Sequence, residues 1–255
     1  MLSKNQFKFL NSLKYKKTRI QENKILIEGV RIIREAQSSN TLIDSIYYTD
    51  KFASNHVELL DILNNQNISM TLSGQQDIKK LSESKNNPGI IAVVNIKIPS
   101  KEEYVNNNQL IIDSVSDPGN LGNIMRSADW FGLKNIYLSE NSVDPYNSKV
   151  VRSAMGAHFY LNIFKISIID HIKNLKEQEF KIIGANIEGE SLYNWNIPNK
   201  WALVLGNEAH GISDEVNKLV DYDISIPQKG NVESLNVSMA GGIILSHIIS
   251  NKKDK

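Results

Sequence analysis

Cysteine is absent from the 255 residues, which excludes disulfides, thiolate nucleophiles and cysteine-held zinc or iron–sulfur clusters. The five histidines fall into no ligand spacing such as HExxH, so no metal site is expected. No apolar run approaches membrane-spanning length. The amino-terminal MLSKNQFKFLNSLKYKKTR alternates lysine with apolar residues and lacks the continuous apolar core and small-residue cleavage site of a secretory signal. A soluble, cytoplasmic chain without a membrane partner is the expectation. Net charge is small, +1, but unevenly spread. Residues 1–98 carry 14 Lys+Arg against 9 Asp+Glu, and residues 99–255 carry 15 against 19. Nine basic residues against three acidic ones fall in the first 35. That imbalance suits contacts to a phosphate backbone, and equally a solvated basic helix.

Hydrophobic residues make up 41% of the chain, enough for one large or two modest domains. Apolar spacing predicts a short helix over Asn5–Leu13, a basic turn at Lys14–Arg19, and then alternating short strands and helices as far as the strand Ile90–Val94. Pro88-Gly89, Pro99 and the polar Ser100–Asn108 stretch mark a boundary, giving a small α/β domain over 1–98 and a second domain over 99–255. The second opens on a buried strand from Gln109 and repeats strand, helix, strand. Such alternation predicts an α/β fold with a mostly parallel sheet covered on both faces. Ligands should then bind at loops beyond the carboxyl ends of the strands.

Three loops stand out. SDPGNLGNIMRSADWFG, Ser116–Gly132, is a strand-to-helix loop whose Gly119 and Gly122 do not make the GxGxxG spacing of a dinucleotide site. The helix it opens carries Arg126, one of only two arginines among the fifteen basic residues of the second domain, the other being Arg152. In a chain that otherwise uses lysine, arginine suggests planar, bidentate phosphate geometry. LVLGNEAHGIS, Leu203–Ser213, ends an apolar strand at Gly206, where a ligand can approach the backbone. It delivers Asn207 and Glu208 into a loop, and the carboxylate is also placed to cap the following helix. IPQKGNVESLNVSMAGGIILSHII, Ile226–Ile249, joins a polar loop to an apolar helix. Ser234 stands as the expected N-cap, and the Gly241-Gly242 pair allows close approach of another backbone. A helix so apolar should be buried, in part against a partner.

In this order and spacing, NLGNIMRSA, LGNEAHGIS and IPQKGNVESLNVSMAGGI resemble the three motifs of the SpoU, or TrmH-like, RNA 2'-O-methyltransferases of the SPOUT superfamily. The amino-terminal KFLNSLKYKKTRIQENKILIEGVRIIREA resembles the substrate-binding domain of the same family, which has an L30e-like fold. The resemblance implies a carboxy-terminal trefoil knot, a homodimer, and S-adenosylmethionine held largely by backbone groups at Gly206, Ile226 and Leu235. Arg126 matches the catalytic arginine, and Asn120, Glu208, Ser234 and Asn236 match its supporting polar residues. The implied reaction is methylation of a ribose 2'-hydroxyl, with 23S ribosomal RNA as the first substrate. Transfer RNA, or a non-catalytic RNA-binding role on the same fold, are the alternatives left open. An arginine is a reluctant base because its pKa lies above about 12. Its expected role is therefore to grip a phosphate and polarise the hydroxyl, oriented by Glu208 and Asn120. Lys14, Lys16, Lys17, Arg19 and Arg31 are the expected first contacts to RNA.

Overall fold

The computed structural model describes residues 2–84, 86–99 and 108–251. The chain packs as two units, Met1–Lys97 with Tyr146–Phe159, and Ile98–Pro145 with Tyr160–Lys255. The polar stretch expected to separate the domains lies outside the described residues from Ser100 to Asn107.

The first unit is built on four strands, β1 (Lys24–Glu28), β2 (Ile43–Tyr48), β3 (Ser69–Leu72) and β4 (Ile90–Asn95), in the order β1-β4-β2-β3. β4 is antiparallel to both neighbours, whereas β2 and β3 run parallel. Around the sheet lie α1 (Lys4–Ser12), α2 (Lys16–Glu22), α3 (Val30–Ser38), α4 (Asp50–Asn55), α5 (Val57–Asn65) and α6 (Gln75–Leu81). Ser3 and Gln6 form a capping box that starts α1. α1 then buries Leu10 and Leu13 against Ile78 and Leu81 of α6 and Val93 of β4.

Two expectations fail in this unit. Lys14–Arg19 is not simply a turn, because α2 begins at Lys16. Nor is Arg19 free to reach RNA. It is 6% exposed, and its guanidinium donates to the carbonyls of Leu13 at 3.0 Å and Lys14 at 2.7 Å. Buried charge is tolerated only when it is hydrogen-bonded, and here it braces the turn that the sequence left unsupported.

The segment Tyr146–Phe159, placed by its position in the chain with the second domain, packs with the first unit instead. Its helix α8 (Ser148–Ala154) carries Arg152. That guanidinium meets carboxylates, not a phosphate, with Glu28 Oε1 at 3.4 Å and Glu83 Oε2 at 3.7 Å. Glu28 also accepts from the hydroxyls of Ser82 and Ser84, each at 2.6 Å, and Ser148 donates to Glu83. Just beyond α8, Gly156 has φ +100, and a Cβ there would lie 2.8 Å from Cβ of Glu35. Both the backbone conformation and the contact favour glycine.

The described residues of the second unit form six strands: β5 (Gln109–Ile112), β6 (Asn135–Leu138), β7 (Asn162–Lys165), β8 (Lys181–Ser191), β9 (Trp201–Leu205) and β10 (Tyr222–Ser225). Their order is β10-β8-β9-β5-β6-β7, and every pairing is parallel. Parallel strands with both faces covered carry continuous apolar runs, and WALVL and QLII are buried throughout. The covering helices are α7 (Pro118–Trp130), α9 (Ile168–Glu177), α10 (Asp214–Asn217) and α11 (Val237–Ser250). Ile168, Ile172 and Leu175 of α9 pack on Ile111, Ile182, Ala202 and Val204 of the sheet.

α11 is buried on one face only, through Ser238, Gly241, Ile244, Leu245 and Ile248. Met239 and Ile243 stay 58% and 37% exposed. The two glycines differ. A Cβ on Gly241 would fall 2.6 Å from Cδ1 of the fully buried Leu205, whereas one on Gly242 meets only Ser127 Oγ at 3.5 Å. Close approach of helix to sheet is therefore a property of Gly241. No described helix is long and apolar enough to cross a membrane.

Candidate active site

The carboxyl ends of β5 and β9, with the loop after β10, bring the three sequence motifs together. α7 starts on a strong local signal: Asp117 is the N-cap and accepts from Asn120 N at 2.9 Å, and Pro118 occupies the first turn. The main-chain donors just before it are taken by a residue ninety positions away. Glu208 Oε1 accepts from Asp117 N at 3.0 Å and from Asn120 Nδ2 at 2.9 Å. Its Oε2 accepts from Ser116 N at 3.2 Å and Ser116 Oγ at 3.1 Å. The carboxylate thus caps the loop into α7 and not α10, whose N-cap is Ser213.

This arrangement fixes the orientation of the next two side chains. An ionised carboxylate only accepts, so Asn120 must present its amide nitrogen to Glu208 and its carbonyl elsewhere. That carbonyl accepts from Asn236 Nδ2 at 2.9 Å. Asn236 in turn uses its own carbonyl to accept from Ser238 N at 2.9 Å and Ser238 Oγ at 2.7 Å, as the N-cap of α11. Ser234, the expected cap, is exposed and lies two residues before it. One relay, Glu208 to Asn120 to Asn236, therefore joins the three motifs and the first turns of two helices.

The loop carrying Glu208 is itself held in shape. Asn207 donates to Ser114 O at 2.7 Å, while its carbonyl accepts from Ala209 N at 2.9 Å and His210 N at 3.2 Å. Its backbone exchanges two hydrogen bonds with Gly211, which has φ +68. Gly206 serves this turn: a Cβ there would stand 2.2 Å from the carbonyl carbon of Gly211. The closing of the loop on itself is thus enough to require glycine here. The buried Asp113 accepts from Ser213 N at 2.8 Å and anchors the far end of the loop. Sequence reasoning passed over Asp113. The signal available was an acidic residue at the end of an otherwise apolar strand.

A cleft of about 710 Å3 opens beside the relay, within the size range of small-molecule sites. Gly206, Glu208, Ile226, Ser234, Leu235 and Asn236 all line it, with Ile224, Val237, Ala240 and Ile244 supplying apolar wall. Among the described residues no backbone–backbone hydrogen bond involves residues 226–235. Gln228 Nε2 donates to the carbonyls of Gly230 at 2.9 Å and Val232 at 2.6 Å, and the other main-chain groups of this wall are available to a ligand with its own donors and acceptors, as a nucleoside has.

Arg126 does not join the relay. The acceptor positions of Glu208 go to Ser116, Asp117 and Asn120, so neither Glu208 nor Asn120 orients the guanidinium as expected. Asn120, Asn123, Arg126 and Trp130 follow at three- and four-residue spacing, which puts the arginine on the helix face headed by Asn120. It is exposed and has no ion pair with any described residue.

Burial alone would raise the pKa of Glu208. The Asn120 amide and the main-chain N–H groups of Glu208, Asp117 and Ser116 outweigh that effect and lower it from 4.5 to about 2.

Residues 107–246 match the SpoU rRNA Methylase family profile, and residues 4–92 match that of the MRM3-like substrate binding domain. The chain is 30% identical over 249 residues to the 23S rRNA (guanosine(2553)-2'-O)-methyltransferase RlmP of Bacillus subtilis, spanning 96% of this chain and 97% of that protein. It resembles the structure of a TrmH-family protein from Porphyromonas gingivalis at 32% identity and a TM-score of 0.84, covering 97% of this chain and 98% of that one. It shares the fold of the SpoU methyltransferase AviRb from Streptomyces viridochromogenes in complex with AdoMet, at 23% identity and a TM-score of 0.86, with 97% and 98% covered.

Glu208→Gln places an amide donor against the N–H groups that the carboxylate now accepts, so it should destabilise the chain at neutral pH. Because the folded pKa lies below the unfolded one, the carboxylate's contribution is complete above about pH 4.5 and is lost as pH falls toward about 2. Urea denaturation of both proteins at several pH values should show the stability gap constant near neutrality and closing below that point. A gap independent of pH contradicts the assignment.

Proposed function

Because the chain belongs to the SpoU rRNA methylase family, we propose that it is an S-adenosylmethionine-dependent RNA methyltransferase acting on a ribose 2'-hydroxyl of 23S ribosomal RNA in the cytoplasm. The observation that carries this reading is the Glu208–Asn120–Asn236 relay at the rim of the cleft. Gly206, Ile226 and Leu235 would hold the cofactor, largely by main-chain groups, against the apolar wall of Ile224 and Ile244. When bound, S-adenosylmethionine supplies an activated sulfonium methyl group.

The protein's own task is then alignment and charge control. Glu208 stays ionised and holds Asn120, and Asn120 sets the amide plane of Asn236 at the cleft. Arg126 presents a planar fork of N–H donors, suited to grip a phosphate next to the target ribose and to polarise its hydroxyl. The proton leaves through phosphate or water, since a guanidinium does not take it. Ser234, which lines the cleft two residues before Asn236, is proposed as a further supporting polar residue. The region 1–98 is proposed as the RNA substrate-binding domain and 99–255, apart from Tyr146–Phe159 which packs with the first unit, as the catalytic domain, a division supported by the two profile matches.

The working form is proposed to be a homodimer with a knotted carboxyl terminus. The exposed Met239 and Ile243 on α11 support the first of these, because apolar side chains grouped on one helix face are a common interface signal. Sedimentation of the full chain should give a dimer, and Met239→Asp with Ile243→Asp should give monomers. A fully active monomer contradicts the proposal.

Arg126→Lys keeps the charge and loses the fork. Single-turnover methyl transfer with saturating RNA and cofactor should slow by about a hundredfold, while cofactor affinity is retained because Arg126 does not line the cleft. Transfer at the wild-type rate would show that charge alone suffices. Loss of cofactor binding would place Arg126 in the pocket instead.

A further inference from the structure

We infer that the turn between α1 and α2 is a stacking platform for an unpaired base of the RNA, formed by Tyr15 and flanked by Lys16, Lys17, Lys79 and Lys80. This rests on the RNA-directed reading above and names the element of the first unit that meets the RNA.

Tyr15 is 66% exposed although its neighbour Leu13 is 2% exposed, so the ring is held out while the backbone beside it is pinned in. The pinning is specific. Arg19, buried beneath the turn, donates to the two carbonyls that precede Tyr15, those of Leu13 and Lys14. Lys14 Nζ reaches across to Lys80 O at 2.9 Å. Tyr15 is the N-cap residue of α2 but makes no capping hydrogen bond with its side chain, so its ring is not needed to start the helix.

The charge around it is one-sided. Leu10 and Leu13 pack on Ile78 and Leu81, which sets the end of α1 beside the end of α6, where Lys79 and Lys80 are exposed. Lys16 and Lys17 open α2 and are exposed as well. Among the described residues no ion pair engages these four lysines or Lys14. A purely structural account covers part of this set: cations near the last turn of α6 are favoured by its dipole, which explains Lys14, Lys79 and Lys80. It leaves Lys16 and Lys17, which sit at the opposite, unfavourable end of α2, and it leaves the exposed ring. Single exposed aromatic residues are ordinary. A ring on a braced turn, amid unneutralised lysines, is the combination that binds single-stranded nucleic acid: lysines track the phosphates and the ring stacks on any base that is free of a partner. A base already stacked in a duplex offers no free face.

The test uses the full chain with two fluorescent probes, an RNA hairpin with an unpaired loop and a fully paired RNA duplex of equal length. Tyr15→Ala should weaken hairpin binding about tenfold, within the range reported for loss of one stacked base, and change duplex binding little. Tyr15→Phe should retain hairpin affinity, while Tyr15→Leu, which keeps apolar bulk without a ring, should lose it. Joint replacement of Lys16, Lys17, Lys79 and Lys80 by Gln should reduce the slope of log affinity against log salt by roughly 3. Wild-type hairpin affinity in Tyr15→Ala and Tyr15→Leu overturns the inference, as does an equal loss on hairpin and duplex. If the wild-type chain binds the hairpin through Tyr15 yet transfers no methyl group to any RNA, the catalytic reading fails and this surface stands. If it methylates RNA while the Tyr15 variants bind normally, this inference fails alone.

Discussion

The second unit turns on one carboxylate accepting four hydrogen bonds. Glu208 takes up the N–H groups of Ser116 and Asp117, the Ser116 hydroxyl and the Asn120 amide. A helix start favours negative charge, and charge-assisted hydrogen bonds are stronger than neutral ones. The loop after β9 is thereby fastened to the loop after β5. A group that only accepts also dictates which way Asn120 points, and Asn120 dictates the orientation of Asn236. The order created by one ionised group passes through two amides to the cap of α11.

The supports behind this relay are unlike it. Asp113 and Asn207 satisfy backbone groups of the loop that carries Glu208, and Gly206 lets that loop close on itself. Fixed polar groups around a cleft require a rigid surrounding shell, and here it is assembled from strand ends. Residues 226–235, most of which line the cleft, keep their main-chain groups out of secondary structure. The cleft therefore combines a braced polar edge with a wall whose main-chain groups, apart from the carbonyls of Gly230 and Val232 that Gln228 engages, are available to a nucleoside-like ligand.

Much of the fold was legible because most of its strands are short apolar runs, β1 and β9 being followed directly by Gly29 and Gly206, and the parallel sheet follows from their alternation with helices. The convergence of Asn120, Glu208 and Asn236 was legible only through the family resemblance, since no local pattern reports contact across some ninety residues. Details settled by packing were misread. Ser234 and Asn236 are both good helix caps, and a contact from Asn120 selects the second. Gly241 and Gly242 are equivalent as letters, yet only the first faces Leu205. Arg19 and Arg152 read as phosphate ligands because arginine suits phosphate, but it suits buried carbonyls and carboxylates equally well. Helix α8 follows the first unit because Glu28 and Glu83 wait there for Arg152.

Asn120 and Asn236 are joined into one unit by the hydrogen bond between their side chains, with Glu208 holding the first, and a double-mutant cycle measures their coupling. S-adenosylmethionine affinity would be determined by calorimetry for the wild type, Asn120→Ala, Asn236→Ala and the double variant. Strong non-additivity is expected, a coupling of roughly 1 kcal/mol, because either substitution alone already breaks the relay. Independent effects that simply add would contradict it.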